Sequence, residues 1–177
     1  MFSIRAAKEA DIPVILQLIR GLAEYEQLVE HVTTTDDDLR RTLFGRTRYA
    51  EVLMAEADSE VAGFALFFHN YSTFVGKPGI YLEDLFVRPK FRRHGIGRAF
   101  FRELARLVIE RNCGRLEWAV LNWNEPAIAF YRKLGAVPMN DWTVQRISGE
   151  ALAALAEYPV ASRRHANPHC LCSQRES

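Results

Sequence analysis

Apolar residues return along the chain in two rhythms. Ile12, Ile15, Leu16, Ile19, Leu22 and Ala23 recur every three or four positions, the spacing that lines one face of an α-helix. Asp11 stands at the cap position and Pro13 is tolerated in a first turn, so the pattern predicts a helix ending near Tyr25 or Leu28. A second, short helix is predicted after Thr35, because Asp36, Asp37 and Asp38 favour the positive end of a helix dipole; it should end near Gly45. Short β-rich runs at 2–6, 52–57, 61–69 and 80–87 read as strands, and the polar turn Asp58-Ser59-Glu60 makes the last three an antiparallel meander.

The helical rhythm resumes at Gly95-Ile96-Gly97 with Ala99, Phe100, Leu104, Leu107 and Val108, and Gly114 is expected to close this helix. A strand at 116–121 follows, then a helix from Glu125-Pro126 through Tyr131 to Leu134, with Gly135 as its stop. Residues 142–147 are expected to form the last strand, and Ser148-Gly149-Glu150 to begin a final helix through Leu152 and Leu155. The elements predict an α/β (α+β) domain over residues 1–160, without repeat or linker, followed by a polar tail at 161–177 rich in Arg, His and Ser.

Composition narrows the class. With 177 residues, 49% of them hydrophobic, the chain suffices for one domain with a substantial core but is cramped for two. A formal net charge of +1 offers no global field for nucleic acid or an anionic membrane. No apolar run resembles a signal peptide or a membrane span, so the expected location is the cytoplasm. Cys113, Cys170 and Cys172 are too few for a disulfide framework and fit a reducing compartment. Cys170 and Cys172 lie near His165 and His169, but not at zinc-finger spacing, and no metal is expected.

The chemistry centres on Arg92-Arg93-His94-Gly95-Ile96-Gly97, between an apolar strand and a helix. Backbone N–H groups and the helix dipole at such a junction can cradle a pyrophosphate if no side chain obstructs it. Gly95 and Gly97 suit that need, and Arg92, Arg93 and Arg98 add positive charge. Taken alone the loop supports only an anion-binding turn. It lacks the third glycine of a dinucleotide fingerprint and the Gly-Lys-Ser/Thr of a P-loop.

The pattern Arg92-x-x-Gly95-x-Gly97 resembles the hallmark of the GCN5-related N-acetyltransferase (GNAT) superfamily. Tyr81-Leu82-Glu83-Asp84-Leu85-Phe86-Val87 before it and Trp123-Asn124-Glu125-Pro126-Ala127-Ile128-Ala129-Phe130-Tyr131 after it are similar to the diamine (spermidine/spermine) acetyltransferase branch. The resemblance runs from Ile4 to about Leu155. It implies a mixed, mostly antiparallel sheet of six to seven strands, flanked by helices and splayed between the fourth and fifth.

It also implies acetyl-CoA as co-substrate and direct transfer to a small cationic amine. Leu85, Phe86 and Val87 would offer backbone, and residues Arg92, Arg93, His94, Gly95, Ile96, Gly97 and Arg98 would hold the pyrophosphate. Asn124 and Ala127 would line the other side of the thioester. Glu83 matches the position that holds the amine cation and helps remove its proton. Asp84 is set aside because strand alternation should send it to the opposite face. Tyr131 matches the general acid for the leaving thiolate, and a backbone N–H near Phe86 would serve the oxyanion. Read from residues alone, Glu83 is equally a structural carboxylate and Tyr131 a core tyrosine.

Tyr25, Glu26, Glu117 and Trp118 align with acceptor-binding stretches of that branch, while Glu24 and Glu30 read as a solvated helix face. Homodimers are common in the branch. Two other readings stay open: a GNAT enzyme acting on a protein N-terminus, a lysine or an aminoglycoside, and a catalytically silent acyl-CoA-binding module.

Overall fold

The computed structural model describes residues 1–158. The tail expected at 161–177, with His165, His169, Cys170 and Cys172, lies outside the described residues. The described residues divide into two compact units, one of Met1–Ile128 and one that begins at Ala129.

In the first unit five strands form one sheet in chain order: β1 (Phe2–Ala6), β2 (Glu51–Ala57), β3 (Glu60–Ser72), β4 (Lys77–Val87) and β5 (Leu116–Trp118). The first four pair antiparallel, whereas β5 runs parallel to β4. The sheet is therefore mixed and mostly antiparallel, with five strands among the described residues instead of six or seven. The strand expected at 116–121 stops at Trp118.

Helix α1 (Ile12–Glu26) buries Ile12, Ile15 and Leu18 on Met54, Phe64 and Phe86 of the sheet. Its end carries no glycine signal: Gln27 adopts the left-handed conformation, with φ 61°, and the Leu28 N–H donates to the Ala23 carbonyl at 2.8 Å. The short helix α2 (Asp36–Leu39) starts at Thr35 as predicted, because Thr35 and Asp38 cap each other reciprocally. It continues as a π-helical turn over Arg40–Phe44.

Cross-strand partners share a face, so Phe67 and Leu82 lie opposite the face of Phe64 and Phe86. Helix α3 (Ile96–Glu110) covers that second face, burying Phe100, Phe101 and Leu104. Left-handed Asn112 ends α3, two residues before the expected Gly114. Helix α4 (Glu125–Lys133) begins in the first unit and runs into the second.

In the second unit, Gly135 with φ 88° stops the helical path just past the end of α4 as expected, and the Ala136 N–H donates to the Tyr131 carbonyl at 3.1 Å. Residues 142–147 do not form the predicted strand: they carry no ladder bonds among the described residues, and Trp142, Val144 and Ile147 are exposed. Their alternating pattern gives a strand tendency, but a strand exists only where a neighbouring edge supplies hydrogen bonds. Helix α5 (Gly149–Ala156) follows. No helix among the described residues is long and apolar enough to cross a membrane.

Candidate active site

The site begins with an irregularity in β4. Phe64 pairs with Phe86, Ala65 with Leu85 and Leu66 with Asp84, but Phe67 pairs with Leu82, so Glu83 has no partner on β3. This is a β-bulge, two residues facing one, and it resets the alternation of the strand. Tyr81, opposite Phe68, and Asp84 and Phe86, opposite Leu66 and Phe64, consequently share the face that α1 covers. With Glu83 unpaired at the bulge, strict alternation no longer fixes its face relative to Asp84.

The charges register the change. Asp84 is mostly buried, and its carboxyl is pushed up to about 6, first by desolvation and then by the negative charges of Glu83 and Glu26. Burial also raises the Glu26 carboxyl. Glu83 is exposed, and among the described residues neither it nor Asp84 has an arginine or lysine partner. Glu26 and Glu83 thus lie close enough to act electrostatically on Asp84, and among the described residues none of the three has a basic partner, which suits them to receive a cation and to take a proton from it near neutral pH. Asp84, set aside in the sequence reading, is the most desolvated of the three. The available signal was a second acid beside the first inside an apolar strand.

The bulge also marks the point where β4 loses its other neighbour. β5 pairs with β4 only through Ile80–Leu116, Tyr81–Glu117 and Leu82–Trp118. Beyond Leu82 the β4 backbone, including Leu85, Phe86 and Val87, has β3 on one side and, among the described residues, no strand on the other. The resulting row of unpaired backbone groups is the splay expected from the sequence, and it can hydrogen-bond an extended, amide-bearing chain.

This strand leads through the 3₁₀ turn Pro89–Phe91 to the loop before α3. Arg93 has φ 66° and Gly95 φ 85°. A Cβ added at Gly95 would meet no atom within 4 Å, so the left-handed backbone, more than crowding, calls for glycine there. No side chain caps α3 at this end, leaving its first N–H groups and the dipole open to an anion. Arg93, His94 and Arg98 are exposed around it, and Gly97 lies in the first turn. Ile96 is buried, so its side chain anchors the helix while its backbone stays at the mouth. Arg92 is placed differently: its Nε donates to the Val87 carbonyl at 2.9 Å, and its guanidinium lies over the ring of Tyr25.

Tyr25, at the end of α1, forms an aromatic wall with Trp123, their ring centroids 6.0 Å apart. The Tyr25 hydroxyl donates to Asn124 Oδ1 at 3.2 Å. The same oxygen accepts the Ala127 N–H at 3.3 Å, which makes buried Asn124 the cap of α4.

The remaining sequence candidates divide. Glu117 accepts a hydrogen bond from Asn70 Nδ2 at 2.7 Å and pairs with Arg115, so its charge is already engaged. Trp118 packs edge-on against Phe101 of α3, centroids 4.8 Å apart, on the face away from Asp84. Tyr131 belongs to the second unit; it is half-buried on α4 with its ring 5.5 Å from that of Phe130. Among the described residues, no three or more His, Cys, Asp or Glu are grouped so as to hold a metal ion.

The sequence model of the family described as "Acetyltransferase (GNAT) family" matches residues 16–136. The chain is 40% identical to a thialysine N-epsilon-acetyltransferase from Bos taurus, over 86% of this chain and 96% of the relative. It is 31% identical to an L-ornithine N5-acetyltransferase from Arabidopsis thaliana, over 88% of each chain. Among solved structures, an integron cassette protein from the mobile metagenome of V. cholerae superposes with a TM-score of 0.75 at 25% identity, covering 88% of this chain and 98% of the other.

Proposed function

Because the chain belongs to the acetyltransferase (GNAT) family and is an N-acetyltransferase, we propose that it transfers the acetyl group of acetyl-CoA directly to a primary amine of a small cationic acceptor: a diamine, a polyamine or a lysine-like amine such as thialysine. The observation that carries the reading is the uncompensated trio Glu26, Glu83 and Asp84 beside the open edge of β4. The names of the relatives point the same way, since thialysine and ornithine are both amino-acid-sized amines.

The chain suits acetyl-CoA. The unpaired backbone of Leu85, Phe86 and Val87 matches an amide-bearing pantetheine arm, and the uncapped start of α3 with Arg93, His94 and Arg98 matches a pyrophosphate. When bound, acetyl-CoA supplies the activated acyl carbon and a thiolate leaving group. Glu26 and Glu83 hold the ammonium form of the acceptor against the Tyr25–Trp123 wall, where an aromatic face also favours a cation. Asp84, ionised above about pH 6, takes the proton that must leave before the nitrogen can attack. Glu83 then keeps the cation-holding role assigned from the sequence, and proton removal passes to its buried neighbour. A backbone N–H of the open edge near Phe86 serves the oxyanion, and the Tyr131 phenol protonates the thiolate.

A panel of polyamines, diamines, lysine, ornithine and thialysine, followed by release of the CoA thiol, tests the proposal. Turnover confined to peptides or aminoglycosides, or absent altogether, would refute it. Tyr131→Phe should lower kcat about 100-fold, within the range of general acid catalysis, with acetyl-CoA affinity nearly unchanged; full activity would remove Tyr131 from the mechanism. Removing a proton from an amine calls for no metal, so a chelator should leave turnover unchanged. The same reading has the enzyme act in the cytoplasm as a homodimer, and light scattering should return the mass of two chains.

A further inference from the structure

The hallmark pattern assigns the arginine of Arg92-x-x-Gly95-x-Gly97 to the phosphate. The contacts of Arg92 describe a different use. Its Nε–H is bonded to the Val87 carbonyl, at the end of β4. Its guanidinium stands 4.9 Å from the Tyr25 ring centroid and 5.7 Å from that of Phe86. Phe86 in turn lies under Gly21 of α1, where an added Cβ would meet its ring at 3.1 Å. On its far side Tyr25 donates to Asn124, the cap of α4, and stacks near Trp123. One continuous chain of contacts, Asn124–Tyr25–Arg92–Val87, joins the acceptor wall to the loop before α3.

We propose that Arg92 is a positioning residue for the acceptor: its side chain braces Tyr25, and with it the end of α1 bearing Glu26, against the donor loop, while the anion is held by backbone N–H groups, Arg93 and Arg98. The need for such a brace follows from the end of α1. That helix stops at left-handed Gln27 without a glycine, a conformation that costs a residue with a side chain roughly 1–2 kcal/mol and must be supported by contacts nearby. A planar cation between two rings, with one N–H directed at a carbonyl, fixes three elements at once. The kinetic part of this inference rests on the amine reading above.

Steady-state kinetics with the full chain separate bracing from phosphate binding. Arg92→Met and Tyr25→Leu should each raise the amine KM about tenfold, the size of a partly desolvated cation–π contact plus a hydrogen bond, and the double variant should be no worse than either. Tyr25→Phe keeps the ring beneath the cation, so in that background Arg92→Met should still show its full effect. Acetyl-CoA Kd, measured by calorimetry, should move less than threefold in every case. A tenfold loss of acetyl-CoA affinity with unchanged amine KM, or fully additive effects of Arg92→Met and Tyr25→Leu, would overturn the proposal.

Hydrogen exchange supplies a readout that does not depend on the acceptor. Residues 22–28 should exchange at least fivefold faster in Arg92→Met than in the parent, and unchanged exchange there would overturn the brace whichever amine is used. Faster exchange combined with no turnover of any amine in the parent would instead remove the acceptor reading and leave the brace standing. If Arg92→Met does not fold, Arg92→Gln, which keeps a donor for the Val87 carbonyl and loses the cation, carries the same measurements.

Discussion

Glu51 on β2 and Asp84 on β4 are carboxylates of one sheet with opposite surroundings. Glu51 is clasped by Arg111, whose Nη2 donates to it at 2.8 Å, and that pairing holds its carboxyl below the usual range. Asp84 is more deeply buried and, among the described residues, has only the like charges of Glu83 and Glu26 acting on it, so desolvation first and those charges second raise its carboxyl to about 6. A buried acid without a partner costs stability. The difference between the two teaches where the fold tolerates an unpaired buried charge: at the bulge, where the proposed chemistry would use it, and not at the rim between β2 and α3.

The sharpest way to break this contrast is Asp84→Asn, which should lower kcat by at least 100-fold, since it removes the proton acceptor while keeping shape; single-turnover rates with saturating acetyl-CoA would show it. An active variant would return the base to Glu83. Next in size is the pH profile. Asp84 must be ionised to act, so kcat/KM in the parent should climb about tenfold per pH unit below an inflection near 6 and flatten above it. Asp84→Asn should abolish that inflection.

Stability should move the other way. The folded carboxyl of Asp84, near 6, lies above its ordinary 3.8, so ionisation weakens the fold as pH rises from about 4 to 6, and the deficit persists above. Asp84→Asn should therefore stabilise the protein at pH 7 by about 1–3 kcal/mol, each tenfold change in proton affinity on folding being worth about 1.4 kcal/mol, less the burial of a neutral amide. A higher Tm would show it. Glu51 has the reverse sign: its pairing stabilises above its unfolded value and is lost as pH falls through the lower folded one. Because that pair is partly solvent-exposed, Glu51→Gln should cost at most about 1 kcal/mol and leave kcat unaltered, the smallest of these effects.

Much of this was readable from residue order. The stripe of Ile12, Ile15 and Ile19, the helix start at Thr35 before Asp36, Asp37 and Asp38, the three later strands and the loop at Gly95 are local patterns, and each appears where its chemistry places it. The phosphate-loop and Glu83 expectations rest on local patterns of the same kind. Asp84 was lost because alternation holds only until two strands disagree in length, and that disagreement is expressed in the pairing of Leu66 and Phe67 with β4. Arg92 was assigned by its motif, whereas one of its contacts, the Tyr25 ring, comes from α1, some 67 positions earlier. Residues 142–147 show the converse, a strand pattern without a partner edge.

What the sequence by itself determined is therefore everything that depends on spacing along the chain: helix faces, caps, the glycine with positive φ, and the motifs that identify an acetyltransferase. Tertiary structure alone decided which carboxylate is desolvated, which arginine is already engaged and where β4 is left open. Those properties arise from burial and cross-strand register, which are set by residues far away in the chain, and a pKa or an unpaired edge exists only once those distant neighbours are in place.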